Sequence, residues 1–169
     1  MSIPLGRWLR PQRGAREPLN RATGVTATMA KAEVQSRRLQ RRAGAEELGR
    51  ELRAVLQDLQ RNLRGLIGSM LVDHRGDPLV WELRGGVEPM FVSLVGSLLA
   101  QASERTVAEM DLGLMRNTVV TTEQGALAVF RVSDEAFLVL VMQATANNVL
   151  VAIEAQKAIV KLREVMGHG

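Results

Sequence analysis

The residues best equipped for chemistry are few and scattered. Asp73, Asp77 and Asp111 could in principle gather around a divalent cation, but they stand among turn-forming residues and at a strand end, where Asp normally accepts hydrogen bonds from nearby backbone. His74 and His168 are the two histidines, one beside a turn and one next to the C-terminus, which argues against a His-based triad or a multi-histidine metal site. With no Cys there is no disulfide framework, no thiolate zinc site and no thiol nucleophile, and a reducing, cytoplasmic setting fits. No P-loop, no G-x-G-x-x-G after a strand, no G-x-S-x-G and no H-E-x-x-H is present. Tyr is absent and aromatics are 3%, so a stacking platform for single-stranded nucleic acid is nearly excluded. These absences favour binding or scaffolding over catalysis, with no cofactor, metal or small-molecule substrate expected.

The remaining chemistry is recognition. Arg37, Arg38, Arg41 and Arg42 form a basic cluster within a stretch of strong helix composition. A solvated helix face is the plain reading; an anionic lipid, a nucleic acid or an acidic protein surface is the functional one. A second feature is a helix expected from about Val87 to Glu109. Its core stripe is read as Phe91, Leu94, Val95, Leu98 and Ala102, leaving an opposite face of Met90, Ser93, Gly96, Ser97, Ala100, Ser103 and Val107. No charge stands between Glu88 and Glu104, and small residues permit close approach of another backbone, so this face is expected to be covered. A dimer seam is the first reading and the chain's own N-terminal helix the alternative.

The elements that must position these residues follow from periodicity. Residues 29–63 read as helix, divided at Gly44, with Leu48, Leu52, Val55 and Leu59 forming a stripe that docks on a core. Leu66 to Val72 and Pro78 to Arg84 read as a hairpin closed around Gly76. After the helix from Val87 come strands at Leu112 to Thr122, Ala126 to Val132 and Ala136 to Met142, joined by short turns. The first alternates and is only moderately apolar, typical of an edge; Phe137 to Met142 is apolar throughout, typical of a central strand. A last helix spans about Ala146 to Met166, and Asn147 and Asn148 before it suit a turn or left-handed geometry.

Charge is segregated along the 169 residues. Residues 1–65 hold fourteen bases and six acids; residues 66–169 hold eight and twelve. The expected organisation is a disordered basic tail at 1–28, a basic helical extension at 29–44 and a single domain at 45–169. The Arg-rich start resembles an organellar transit peptide, but Pro4, Pro11 and Pro18 break any amphipathic helix, and Met29 is an alternative start. No apolar stretch reaches the roughly 20 residues of a membrane span.

In this order, the phrase from Arg64 through Gly68, Asp73 and Gly76 to Leu79, the uncharged helix from Val87, the strand around Arg116 to Thr122, the Gly125 turn and the strand at Phe137 to Met142 resemble the roadblock, or dynein light-chain-like, family. The resemblance covers about Glu46 to Glu164; Asn148 stands where members often have Gly. It implies an α+β fold, a five-stranded antiparallel sheet with the middle helix on one face and the terminal helices on the other. It further implies a homodimer built by pairing third strands and packing middle helices. Met90, Ser93, Gly96, Ser97, Ala100, Leu114, Arg116 and Thr118 would then form the interface, with Gln101 and Glu104 at the rim of a platform for a small Ras-like GTPase. A non-catalytic regulator or scaffold of such a GTPase is one functional expectation. The other, from a different class, is a basic dimeric adaptor whose N-terminal arms hold a polyanion.

Overall fold

The structure, a computed structural model, describes residues 20–167. Most of the expected disordered tail, residues 1–19, lies outside the described residues, as does His168. The element order is α1 (Asn20–Asn62), β1 (Leu66–Asp73), β2 (Pro78–Leu83), α2 (Pro89–Glu109), β3 (Asn117–Thr121), β4 (Gly125–Arg131), β5 (Ala136–Gln143) and α3 (Asn148–Val165). The chain divides into two units, Met1–Arg42 and Ala43–Gly169. In the first, the described backbone is helical from Asn20, with Arg38, Leu39 and Arg42 exposed. The backbone stays helical through Gly44, where the residue pattern changes from basic to apolar-striped. One helical Gly costs about 1 kcal/mol, too little to interrupt the Ala-, Leu-, Arg- and Glu-rich sequence on either side.

The second unit is built on an antiparallel sheet in the order β2-β1-β5-β4-β3. As the residue patterns predict, β3 lies at an edge and β5 in the middle. Alternation along the strands sorts side chains into two cores. On one face Leu71, Ala128, Phe130, Leu138 and Leu140 meet Leu52, Val55, Leu56 and Leu59 of α1 and Val151, Ala155, Ile159 and Leu162 of α3. On the other face Met70, Val72, Val129, Phe137 and Val139 meet Val92 and Ala100 of α2. Full burial of a Leu such as Leu56 or Leu59 contributes about 1.5–3 kcal/mol, so the apolar spacing on α1 fixes which way that helix faces the sheet.

Turn chemistry accounts for the acidic residues. Asp73 Oδ1 accepts from the backbone N–H of Arg75 at 2.9 Å and of Asp77 at 2.8 Å, and Gly76 takes a φ of +93° that closes the β1–β2 turn. Between α2 and β3, Asp111 (φ +53°) and Gly113 (φ +82°) turn the chain. This delays the third strand: residues 112–116 are connector, not the start of a strand. Asn147 is extended, not left-handed, and its Oδ1 caps α3 by accepting from the N–H groups of Val149 and Leu150 at 3.0 and 3.1 Å.

Along the seam between α1 and α3, Glu154 accepts from Asn62 Nδ2 at 3.1 Å and from Lys157 Nζ at 2.7 Å. The Lys157 bond, reinforced by Asn62, holds its carboxyl below the ordinary range against the opposing effect of burial.

Candidate functional site

Helix α2 lies on the sheet through its small residues. Ser93 and Ala100 are 0% exposed and Ser97 2%. A Cβ on Gly96 would stand 2.6 Å from Val139 Cγ2, and Ser93 Oγ donates to the carbonyl of Gly76 in the β1–β2 turn. These contacts reverse the expected faces of the helix. Ser93, Gly96, Ser97 and Ala100 do pack against another backbone, but it is the chain's own sheet, so they cannot form a seam between chains. Nor is their cover the Leu52–Leu59 stretch of α1, which packs on the opposite face of the sheet. The bulky residues read as core point outward instead: Phe91 is 64%, Leu94 53% and Leu98 56% exposed, with Met90 beside them also exposed.

This inversion has a physical cause. A helix whose whole circumference is apolar or small gives hydropathy no polar side to subtract, and the largest side chains then pass for the core. The informative signal was size. A helix pressed onto a sheet bearing β-branched residues such as Val139 needs Gly, Ser and Ala at the contact.

The sheet ends, on the face that carries the outward stripe, in an edge strand with one open side. β3 bonds only to β4, so its outer N–H and C=O groups have no partner strand. Register puts Thr118 and Val120 opposite Val129 and Leu127, on the face that carries α2. Thr118 is half-buried and Val120 exposed, while Leu112 and Leu114 in the connector are exposed, Leu114 to 76%. Arg116 is exposed at the entry to β3, and its carbonyl accepts from the Arg131 N–H at 3.0 Å.

The two expected rim residues differ. Gln101 is exposed on α2 and donates through Nε2 to Ser97 Oγ at 3.1 Å and to the His74 carbonyl at 3.3 Å. Glu104 is half-buried in an ion pair with Arg131, which also reaches Asp134 at 2.7 Å, so Glu104 ties α2 to β4. Arg131 with Arg116, Arg163 and Gln156 lines an open groove of about 1010 Å³ at the end of the sheet, where Arg163 Nε donates to the Val132 carbonyl at 2.5 Å. Among the described residues no three His, Cys, Asp or Glu side chains gather in a way that could hold a metal ion, and no helix is long and apolar enough to cross a membrane. Of the basic cluster, Arg38 and Arg42 are exposed on α1; the side chains of Arg37 and Arg41 lie outside what is described.

No family model matches the chain. Two uncharacterized proteins of Methanocaldococcus jannaschii, MJ1340 and MJ0310, are each 30% identical to it over 109 residues, covering 64% of this chain and 94% of theirs. Among solved structures, the Roadblock/LC7 domain from Streptomyces avermitilis superposes with a TM-score of 0.64 at 14% identity, covering 68% of this chain and 97% of that one. The gliding protein MglB from Thermus thermophilus gives 0.64 at 18% identity, covering 72% and 93%, and MglB from Myxococcus xanthus gives 0.65 at 15%, covering 69% and 88%. The chain thus belongs to one family with the uncharacterized Methanocaldococcus proteins, and its domain has the roadblock/LC7 fold.

Proposed function

We propose that the protein is a homodimeric, non-catalytic regulator or scaffold of a small Ras-like GTPase. The observation that carries this reading is the exposed stripe of Phe91, Leu94 and Leu98 on the same side of the sheet as Val120 of an unpaired strand edge. An apolar helix face and an open edge are each costly to leave in water, and one two-fold operation can cover both. Pairing the β3 edges brings Leu114, Arg116 and Thr118 of two copies together. It also sets the α2 helices side by side, with Met90, Leu94 and Leu98 taking the place at the seam first given to the small residues. The two helices then offer a platform that neither copy has alone, with Gln101 at its rim.

The GTPase enters through the roadblock resemblance. The absence of a catalytic constellation in the sequence supports a partner that carries its own chemistry, with the regulator acting by holding its switch loops or its position. The test titrates a Ras-like GTPase, loaded with GDP or a non-hydrolysable GTP analogue, against wild type and Leu98→Glu. Preference for one nucleotide state, lost in the variant, supports a switch regulator, because a ligand shifts an equilibrium only through differential affinity. Equal binding to both states reduces the role to tethering. Equal binding by a monomeric variant overturns the platform.

A further inference from the structure

We propose that α1 around Arg37, Arg38, Arg41 and Arg42 binds duplex nucleic acid through its phosphates. The backbone there is helical, and at about 100° per residue the four positions fall within a sector of about 140°. The nearest acids are Glu33 and Glu46; the twelve residues between them hold four Arg and no carboxylate. Arg38 and Arg42 are exposed, as are Leu39 and Gln40 between them.

Residue choice narrows the ligand. Through residue 65 the bases are thirteen Arg and one Lys, and the planar guanidinium pairs with phosphate oxygens two at a time where ammonium acts as a point charge. A helix lying on an anionic membrane needs bulky apolar residues opposite its cations. From Ala32 to Ala43 the opposite positions are Ala32, Ser36, Leu39, Gln40 and Ala43, with one bulky apolar residue among them. Single strands call for aromatic stacking, and α1 contains no aromatic residue. A duplex needs neither an apolar wedge nor aromatics, only cations at helical spacing, and the excess of acids in residues 66–169 leaves that task to the N-terminal segment. The proposal stands independently of the GTPase reading.

The test uses the full chain. Fluorescence anisotropy with a labelled mixed-sequence DNA duplex is measured from about 50 to about 200 mM KCl, for wild type and for the combined Arg37→Gln, Arg38→Gln, Arg41→Gln, Arg42→Gln variant. Gln keeps helix propensity while removing charge. Wild type should bind with strong salt dependence, and the variant's slope of log K against log salt should be shallower by about 3 to 4, near 0.9 per lost phosphate contact. The matching fourfold Lys variant, which keeps charge, should retain most of that slope and shows that helix disruption is not the cause. An unchanged slope in the Gln variant overturns the proposal. So does failure to bind the duplex at the lowest salt, or capture by phosphatidylserine–phosphatidylcholine vesicles in place of the duplex.

Discussion

Gly96 on α2 and Val139 on β5 are in such close register that a Cβ on the glycine would lie 2.6 Å from one Val139 methyl and 3.1 Å from the other. The separation between helix and sheet is thus set by a missing side chain. Gly96→Ala gains about 1 kcal/mol of helix propensity, but overpacking against a rigid β-branched neighbour costs about 1–3 kcal/mol. A net loss is expected, read as a lower urea midpoint, and Gly96→Val should lose more.

Leu98→Glu acts on the opposite side of the same helix. Leu98 is 56% exposed, so the charge is solvated in a single copy and the monomer should keep its fold, read as an unchanged circular dichroism spectrum, while losing whatever stability the dimer adds. Multi-angle light scattering should show wild type as a dimer and the variant as a monomer. A variant that stays dimeric with unchanged circular dichroism places the seam elsewhere.

The two carboxylates on Arg131 should differ in weight. Glu104 and Arg131 are both less than a third exposed, and removing Glu104 leaves a guanidinium half-buried with one fewer partner. Glu104→Ala should cost about 1–3 kcal/mol. Asp134 is 91% exposed, and Asp134→Ala should stay within about 1 kcal/mol of wild type. Urea unfolding of the two single variants checks the order.

Acid should reveal the Glu154 contacts. Because its carboxyl titrates below the ordinary 4.5 when folded, the stabilisation is complete above that pH and is lost as pH falls through the lowered value. Glu154→Gln should therefore be less stable than wild type near neutrality, with the gap in urea midpoint closing as pH drops below 4.5. A gap of constant size across that range would mean that the charge on Glu154 contributes nothing.

Much of this architecture was legible because strands report their neighbours through alternation. The uninterrupted Phe137 to Met142 marked a strand covered on both faces, and the weaker alternation around Thr118 marked an edge. The Asp73–Gly76 turn was visible for the same local reason, since its hydrogen bonds close within five residues. The orientation of α2 was not legible. Phe91, Leu94 and Leu98 against Ser93, Gly96 and Ser97 is a contrast of size, not of polarity, and which set faces inward depends on Val139, over forty residues away. The connector at 112–116 reads as strand because Leu112 and Leu114 alternate like strand residues, while the left-handed Asp111 and Gly113 that delay the strand are a backbone effect that alternation does not show. Glu104 looked like a free rim charge for a similar reason: its partner Arg131 belongs to another element.

The strand order has a consequence for how the chain is made. β5 occupies the middle of the sheet, pairing with β1 on one side and β4 on the other, and the Met70–Val139 match spans about seventy residues. During synthesis the β1–β2 hairpin and the β3–β4 hairpin therefore emerge as separate ribbons, each with an unsatisfied edge, and α2 has no continuous floor to rest on. Both edges close only when Ala136–Gln143 arrives. Nearly the whole domain must leave the ribosome before its sheet is complete, and until then those two edges stay open to wrong pairing.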